Sequence, residues 1–114
     1  MTDDVCEVVI TAPDAEWLAE FSRLLVERHL VAAAHNIAAI RSFYRWQGKL
    51  YDRTEARVAL HTRRSLLPEI VRVTQREHPY EVPCVAALPI TGGNPEYIRW
   101  ILTETAEVVN GSAP

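Results

Sequence analysis

Residues 36–62 read NIAAIRSFYRWQGKLYDRTEARVALHT, and apolar or aromatic side chains alternate with polar ones on both sides of Gln47-Gly48. Alternation with a period of two predicts β-strands, so we assign one strand to residues 36–46 and a second to residues 49–62. Gln47-Gly48 suits a two-residue turn, because glycine tolerates the positive φ that such turns require. The stretch therefore predicts a long β-hairpin.

This hairpin is longer than one small domain can cover. Each arm exceeds the roughly 5 to 6 residues of a usual strand, and the aromatic side chains of Phe43, Tyr44, Trp46 and Tyr51 all lie close to the turn. Two helices packed on one sheet would leave these rings in water. We therefore expect a partner to cover the tip, and a further copy of the same chain is the simplest partner.

Composition restricts the class of protein. The 114 residues, 48% of them hydrophobic and 24% charged, predict one globular domain over residues 1–114, with flexible ends at 1–4 and 110–114. A net charge of -3 argues against nucleic acid or an anionic membrane as the main partner. The acidic start, without a signal-peptide pattern, and the lack of an apolar run of roughly 18 residues predict a cytoplasmic protein.

The remaining elements follow from periodicity and from helix-start signals. Asn94 before Pro95 is an N-cap pattern, and we give Ser65 the same role at the second helix. The predicted elements outside the hairpin are a strand at Val5–Thr11, helices at Pro13–Leu30 and Ser65–Glu77, a short strand at Cys84–Ile90 and a third helix at Pro95–Val108.

The order β, α, β, β, α, β and a last helix predicts an α+β, ferredoxin-like antiparallel sheet with the spatial order 4, 1, 3, 2. The face of the sheet opposite the first two helices must be polar or covered, which again favours self-association. Cys6 and Cys84 fall at distant ends of neighbouring strands, roughly 15 Å or more apart and beyond disulfide reach. We interpret both as small buried hydrophobic residues.

Motifs of several functional classes are missing from the sequence. It contains neither a glycine-rich phosphate loop nor a Gly-x-Ser-x-Gly elbow, and no His-x-His, Cys-x-x-Cys or His-Glu-x-x-His spacing. The third strand, residues 55–61, offers no aromatic side chain on which an RNA base could stack. These observations favour a binding protein over an enzyme or an RNA-binding domain.

Six blocks of the sequence together resemble one known family, the CutA family of divalent-cation tolerance proteins. They occur in the family's order and spacing, and the tryptophan-containing turn and the His-Pro-Tyr segment are the most specific. The blocks are TAPD at 11–14, VAA at 31–33, YRWQGK at 44–49, HPYEVP at 78–83, ALPI at 87–90 and GNPEY at 93–97. The resemblance implies a homotrimer of ferredoxin-like subunits, similar in architecture to the PII signalling proteins, with long hairpins exchanged around the threefold axis.

The resemblance also implies a role in tolerance to copper and other divalent ions. Some members are described as binding copper through a cysteine before Thr-Ala-Pro and a histidine pair before Pro-Tyr; in this chain those positions carry Ile10, Glu77 and His78. Soft Cu(I) prefers sulfur, so the remaining pair predicts a harder divalent ion held by Glu77 and His78 and completed by a neighbouring subunit or water. The other interpretation of His78 is a helix end whose imidazole caps carbonyl groups.

Clefts between subunits are the second site that the resemblance indicates. Trp46 and Tyr80 either pack in the subunit interface or line such a cleft, and Lys49 and Glu81 would then supply its polar complement. We expect a cytoplasmic homotrimer that binds a metal ion or a small effector without catalysis. The alternative is a PII-like sensor of a small anionic metabolite, without metal binding.

Overall fold

A computed structural model describes residues 3–107 of the chain. The predicted order of elements is confirmed. In chain order the elements are β1 (Val5–Ala12), α1 (Ala15–Glu27), β2 (Ala33–Trp46), β3 (Lys49–Arg63), α2 (Leu67–Glu77), β4 (Val85–Pro89) and α3 (Pro95–Glu104), with a 3-10 turn at Arg64–Leu66 before α2.

The four strands form one antiparallel sheet in the spatial order β2-β3-β1-β4. This is the predicted order, and it puts β2 and β4 at the two edges. Val8 in β1 pairs with Leu60 of β3 on one side and with Ala87 of β4 on the other. The ferredoxin-like α+β fold is therefore confirmed for the described chain.

The hairpin is the longest feature of the sheet. Its strands contain 14 and 15 residues, and its turn is Gln47-Gly48 with φ values of 50° and 80°. Pairing runs from Ala33 to Trp46, with one register shift between Ala38 and Ile40. β1 ends where Ala12 pairs with Ala56. The part of the hairpin that continues past Ala56, residues 40–55, is called the ribbon below, because only its own two strands pair there.

Helices α1 and α2 pack on one face of the sheet. Alternate side chains of β1 and β3 point toward them, since successive residues of a strand face opposite sides. Asp14 caps α1, its carboxylate accepting the amide of Glu16 at 2.9 Å. The buried core between these layers includes Val8, Ile10, Leu18, Leu25, Val58, Leu60, Ile70 and Val73.

Helix α3 covers one end of the opposite face. Ile101 is fully buried there and clusters with Val5 of β1 and Ala32. Arg63, only 7% exposed, donates from Nε to the Thr105 hydroxyl at 2.9 Å and from its terminal nitrogen to the carbonyl of Leu102. Because the last carbonyls of a helix have no partner inside the helix, this guanidinium fixes the end of α3 to the sheet.

Several predicted boundaries were wrong by a few residues. Ser65 does not cap α2: it lies in the 3-10 turn, and its hydroxyl donates to Asp3. Helix α1 ends before Leu30 because His29 takes a positive φ of 59°. Cys84 precedes β4 and is exposed, so its interpretation as a buried hydrophobic residue was wrong, whereas Cys6 is buried; both are free thiols.

Parts of some predictions lie outside the described residues. These are Val108, the flexible end at 110–114, and positions 1 and 2 of the flexible start. Helix α3 ends at Glu104, so its predicted continuation through residues 105–107 was wrong. Asp4 is described, and its carbonyl accepts the amide of Arg64 at 2.7 Å. Within residues 3–107, each helix is too short or too polar to cross a membrane.

Substitution of Arg63 by leucine tests the anchoring of α3. We expect Arg63→Leu to lower the free energy of unfolding by about 1.5 to 3 kcal/mol, because buried carbonyls would lose charged donors. Urea unfolding at one protein concentration measures this loss. Arg72→Leu is the control, since its ion pair with Glu69 is largely exposed and contributes at most about 0.5 kcal/mol. Equal losses in both variants would contradict the anchoring role.

Candidate functional site

A cleft of about 770 Å³ opens where the ribbon extends past the end of β1. The segment from His78 to Cys84, which joins α2 to β4, runs beneath the strand ends and forms the other wall. Prolines at positions 79 and 83 keep this segment out of regular structure. The residues that line the cleft are Thr11, Pro13, Ser42, Phe43, Tyr44, Trp46, Tyr51, Arg53, Thr54, Glu55, Tyr80, Glu81, Val82 and Cys84.

A hydrogen bond between the two walls closes the inner end of the cleft. The hydroxyl of Tyr80 donates to Oε2 of Glu55 at 2.9 Å, and Glu55 is only 5% exposed. Burial raises the pKa of Tyr80, and the neighbouring Glu55 and Tyr44 raise it further. Tyr80 therefore keeps its proton at neutral pH and remains a hydrogen-bond donor to the Glu55 side chain.

Aromatic rings form most of the ribbon wall. Tyr44 and Tyr51 lie directly opposite each other in the β2–β3 register, and their rings stack with centroids 5.3 Å apart. The guanidinium carbon of Arg53 lies 5.1 Å from the centroid of the Tyr51 ring, a cation–π contact. Trp46, next to the turn, is 37% exposed.

His78 fastens the second wall in place. Its Nε2 lies 2.8 Å from the carbonyl oxygen of Thr11, so this nitrogen carries the proton and donates. Its Nδ1 then accepts the amide of Tyr80 at 3.0 Å. The ring is 7% exposed and lies edge-on to Trp17, with centroids 5.2 Å apart. His78 thus joins the end of β1, the end of α2 and the segment that carries Tyr80.

The predicted metal ligands do not fit a metal ion within one subunit. Both ring nitrogens of His78 already have protein partners, and the carboxylate of Glu77 is exposed and paired with Arg76 at 3.1 Å. Nowhere in residues 3–107 do three or more His, Cys, Asp or Glu side chains approach closely enough to hold a metal. A metal at Glu77 and His78 stays a prediction, and it would require His78 to release one of its hydrogen bonds.

Trp46, Tyr80 and Glu81, three of the four residues predicted for a cleft between subunits, line this cleft within one chain, and the cleft between subunits stays a prediction. Lys49 does not line the cleft; it pairs with Trp46 beside the turn and is exposed. Sequence reasoning missed Glu55 and Cys84 as lining residues. Tyr44 and Tyr51 could have been paired in advance, because a two-residue turn at 47–48 makes them direct neighbours.

The comparisons with known proteins agree with one another. The family model for CutA1 divalent ion tolerance protein matches residues 6–104. Protein CutA of Mus musculus is 36% identical over 106 residues, 93% of this chain and 60% of the mouse protein. The divalent-cation tolerance protein CutA of Thermus thermophilus is 35% identical over 98 residues, 86% of this chain and 95% of that protein. The crystal structure of CutA1 from Oryza sativa superimposes with a TM-score of 0.89 at 33% identity, covering 94% of this chain and 98% of that one.

The chain thus spans about three fifths of the mouse relative but nearly all of the Thermus thermophilus one. The matched region contains every element described above except the first residue of β1. It also contains both walls of the cleft.

The raised pKa of Tyr80 predicts a pH dependence of stability. The unfolded chain loses this proton near the ordinary value of 10.0, while the folded protein retains it to higher pH. Above about pH 10 the folded state therefore binds more protons than the unfolded state, and the free energy of unfolding falls as pH rises. We expect Tyr80→Phe to show a smaller fall between about pH 8 and pH 11 in urea unfolding.

Tyr51→Phe is the matched control for this measurement. Its hydroxyl has no hydrogen-bond partner among residues 3–107, whereas the Tyr80 hydroxyl is bonded to Glu55. An alkaline fall of the same size in wild type, Tyr51→Phe and Tyr80→Phe would contradict the assignment.

Proposed function

The chain belongs to the CutA1 divalent ion tolerance family, and from this we propose that it acts in divalent-cation tolerance as a homotrimer that binds a small effector in the cleft beside the ribbon. The proposal includes no catalytic step: the family is named for tolerance to divalent ions and not for a reaction. The observation that carries the proposal is the ribbon, whose paired strands extend beyond the core with apolar side chains exposed.

Edge-strand pairing supports assembly. β2 and β4 are the two edges of the sheet in the described chain, and an edge presents unpaired N–H and C=O groups that can join another strand. The two edges belong to different strands, so β2 of one subunit can meet β4 of the next in a head-to-tail contact. Contacts of this type close into a ring when the rotation allows it, and the proposed number of three subunits is the one that the resemblance to the family implies.

Exposed apolar side chains lie along the same surfaces. On β2, Ile37 is 54% exposed and Phe43 62% exposed. Leu50, in β3 at the tip of the ribbon, is 68% exposed. On β4, Leu88 is 49% exposed. Covering apolar surface contributes about 25 cal/mol for each Å² removed from water. Assembly through both edges would therefore be favoured by the removal of these apolar side chains from solvent.

The cleft supports effector binding in the same assembly. It lies between the ribbon and the segment 78–84, and its volume falls within the roughly 300 to 1,000 Å³ of ordinary small-molecule sites. We favour an effector in this cleft over a metal at Glu77 and His78, because both ring nitrogens of His78 are hydrogen-bonded. We also assign the protein to the cytoplasm, a compartment that suits the free thiols of Cys6 and Cys84.

Light scattering coupled to size exclusion tests the assembly. We expect a mass three times the 12.9 kDa of one chain for the wild type. Ile37→Lys and Leu88→Lys each place a charge on one of the two sheet edges, and we expect either change to shift the protein toward monomer at micromolar concentration. Each would act through a different strand of the same head-to-tail contact.

Glu20→Lys provides the control for these two variants. Glu20 is exposed and lies on the side of α1 opposite its buried residues Leu18, Phe21, Ser22 and Leu25, so this variant should keep the mass of the wild type. A monomeric wild type, or edge variants with an unchanged mass, would overturn the proposed assembly.

A further inference from the structure

The side chains around the cleft indicate the chemistry of its occupant. Resting on the proposed function, we infer that the effector is a small organic cation whose ammonium-type head binds between the aromatic rings of the ribbon and the Glu55 carboxylate. Four properties of the lining favour such a ligand: its charge, a carboxylate oxygen without a protein partner, its aromatic rings, and its size.

The charge of the lining is negative. Glu55 and Glu81 contribute two carboxylates, and Arg53 contributes the one cationic side chain among the lining residues. Within residues 3–107, neither carboxylate forms an ion pair with Arg53 or with another cationic side chain. The guanidinium of Arg53 contacts the Tyr51 ring instead. An anionic ligand would meet two unneutralised carboxylates, whereas a cation would be attracted to them.

Glu55 has an oxygen available for a ligand. The residue is only 5% exposed, and its Oε2 accepts a hydrogen bond from the Tyr80 hydroxyl. Its other oxygen, Oε1, has no hydrogen-bond partner among residues 3–107. In that range every fully buried side-chain nitrogen or oxygen has a partner, so Oε1 keeps some contact with solvent. Because Glu55 lines the cleft and a buried carboxylate without a cation is costly, a cation bound in the cleft would relieve that cost.

The aromatic rings that line the cleft can bind a cation together with the Glu55 carboxylate. Aromatic faces carry negative potential and attract cations, and ammonium ligands are commonly held by several rings at once. Tyr44, Trp46, Tyr51 and Tyr80 all line the cleft. The ribbon already holds two cations in this way, since Arg41 lies 5.1 Å from the Phe43 centroid and Arg53 lies 5.1 Å from that of Tyr51. The ammonium head of a ligand would make the same kind of cation–π contact with a ring of the ribbon.

The size of the cleft favours an organic ligand over a bare metal ion. About 770 Å³ is many times the roughly 30 Å³ of one water molecule, and a metal would also need a group of three or more ligating side chains, which residues 3–107 do not provide. The hydroxyl groups of Thr11 and Ser42, also in the lining, can bond polar groups on the body of such a ligand.

Calorimetric titration of the assembled protein with matched probes tests the inference. Phenyltrimethylammonium presents a methylated ammonium head on a flat ring, and benzenesulfonate presents an anionic head on the same ring. We expect phenyltrimethylammonium to bind and benzenesulfonate to bind at least about tenfold more weakly, a factor that corresponds to about 1.4 kcal/mol.

Variants of the lining locate the binding. Glu55→Gln keeps an acceptor for the Tyr80 hydroxyl but removes the charge, and Tyr44→Leu removes one stacked ring. We expect each variant to weaken phenyltrimethylammonium binding by about tenfold or more. Glu20→Gln is the matched control: it removes an exposed carboxylate of α1 and should leave the binding unchanged. Light scattering on each variant verifies that the assembly is intact.

The outcomes separate this inference from the proposed function. If the wild type is a trimer and benzenesulfonate or neither probe binds, the organic-cation inference is wrong while the proposed assembly stands. The same conclusion follows if phenyltrimethylammonium binds equally to wild type, Glu55→Gln and Tyr44→Leu. If the wild type is a monomer, the proposed function fails first, and titration of that monomer still decides whether the cleft prefers the cation.

Discussion

The continued pairing of β2 with β3 beyond the end of β1 is the constraint on which the rest of the structure depends. The last residue pair shared with β1 is Ala12 with Ala56, and the hairpin then continues to Trp46 and Lys49 without a third strand beside it. A two-stranded ribbon in water is marginally stable by itself. Within the chain, the ribbon is stabilised by stacking of Tyr44 on Tyr51 and by the ion pair of Arg41 with Asp52. Contacts with neighbouring subunits would supply the remaining stability.

The same extension creates the cleft. Since β1 stops while the ribbon continues, an open space remains below its end, and the proline-containing segment after α2 crosses that space. His78 determines how closely the segment approaches, because it bonds the Thr11 carbonyl with one nitrogen and the Tyr80 amide with the other. Tyr80 then reaches Glu55 on the ribbon. The histidine that first suggested metal binding thus has a structural role in positioning the cleft wall.

Sequence patterns predicted most of the fold but less of the site. Period-two alternation and Gln47-Gly48 were enough to predict the hairpin and its turn, and the order of elements predicted the sheet; the register shift between Ala38 and Ile40 has no signal in that pattern. Helix ends were less accurate, because the stop of α1 depends on the positive φ of His29 and the start of α2 on a 3-10 turn. The exposure of Cys84 and the burial of Glu55 depend on contacts between segments distant in sequence, which local periodicity does not report.

Hydrogen exchange at the outer edge of β2 tests the central claim most directly. In an isolated subunit, alternate amides of Ala33–Trp46 point away from β3 and have no strand to pair with, so they would exchange quickly. Pairing with β4 of a neighbouring subunit, a strand of five residues, would protect those of them that it meets. We predict that a continuous part of this edge is protected at micromolar concentration and that Ile37→Lys removes the protection. Rapid exchange along the whole edge in the wild-type protein would contradict the account.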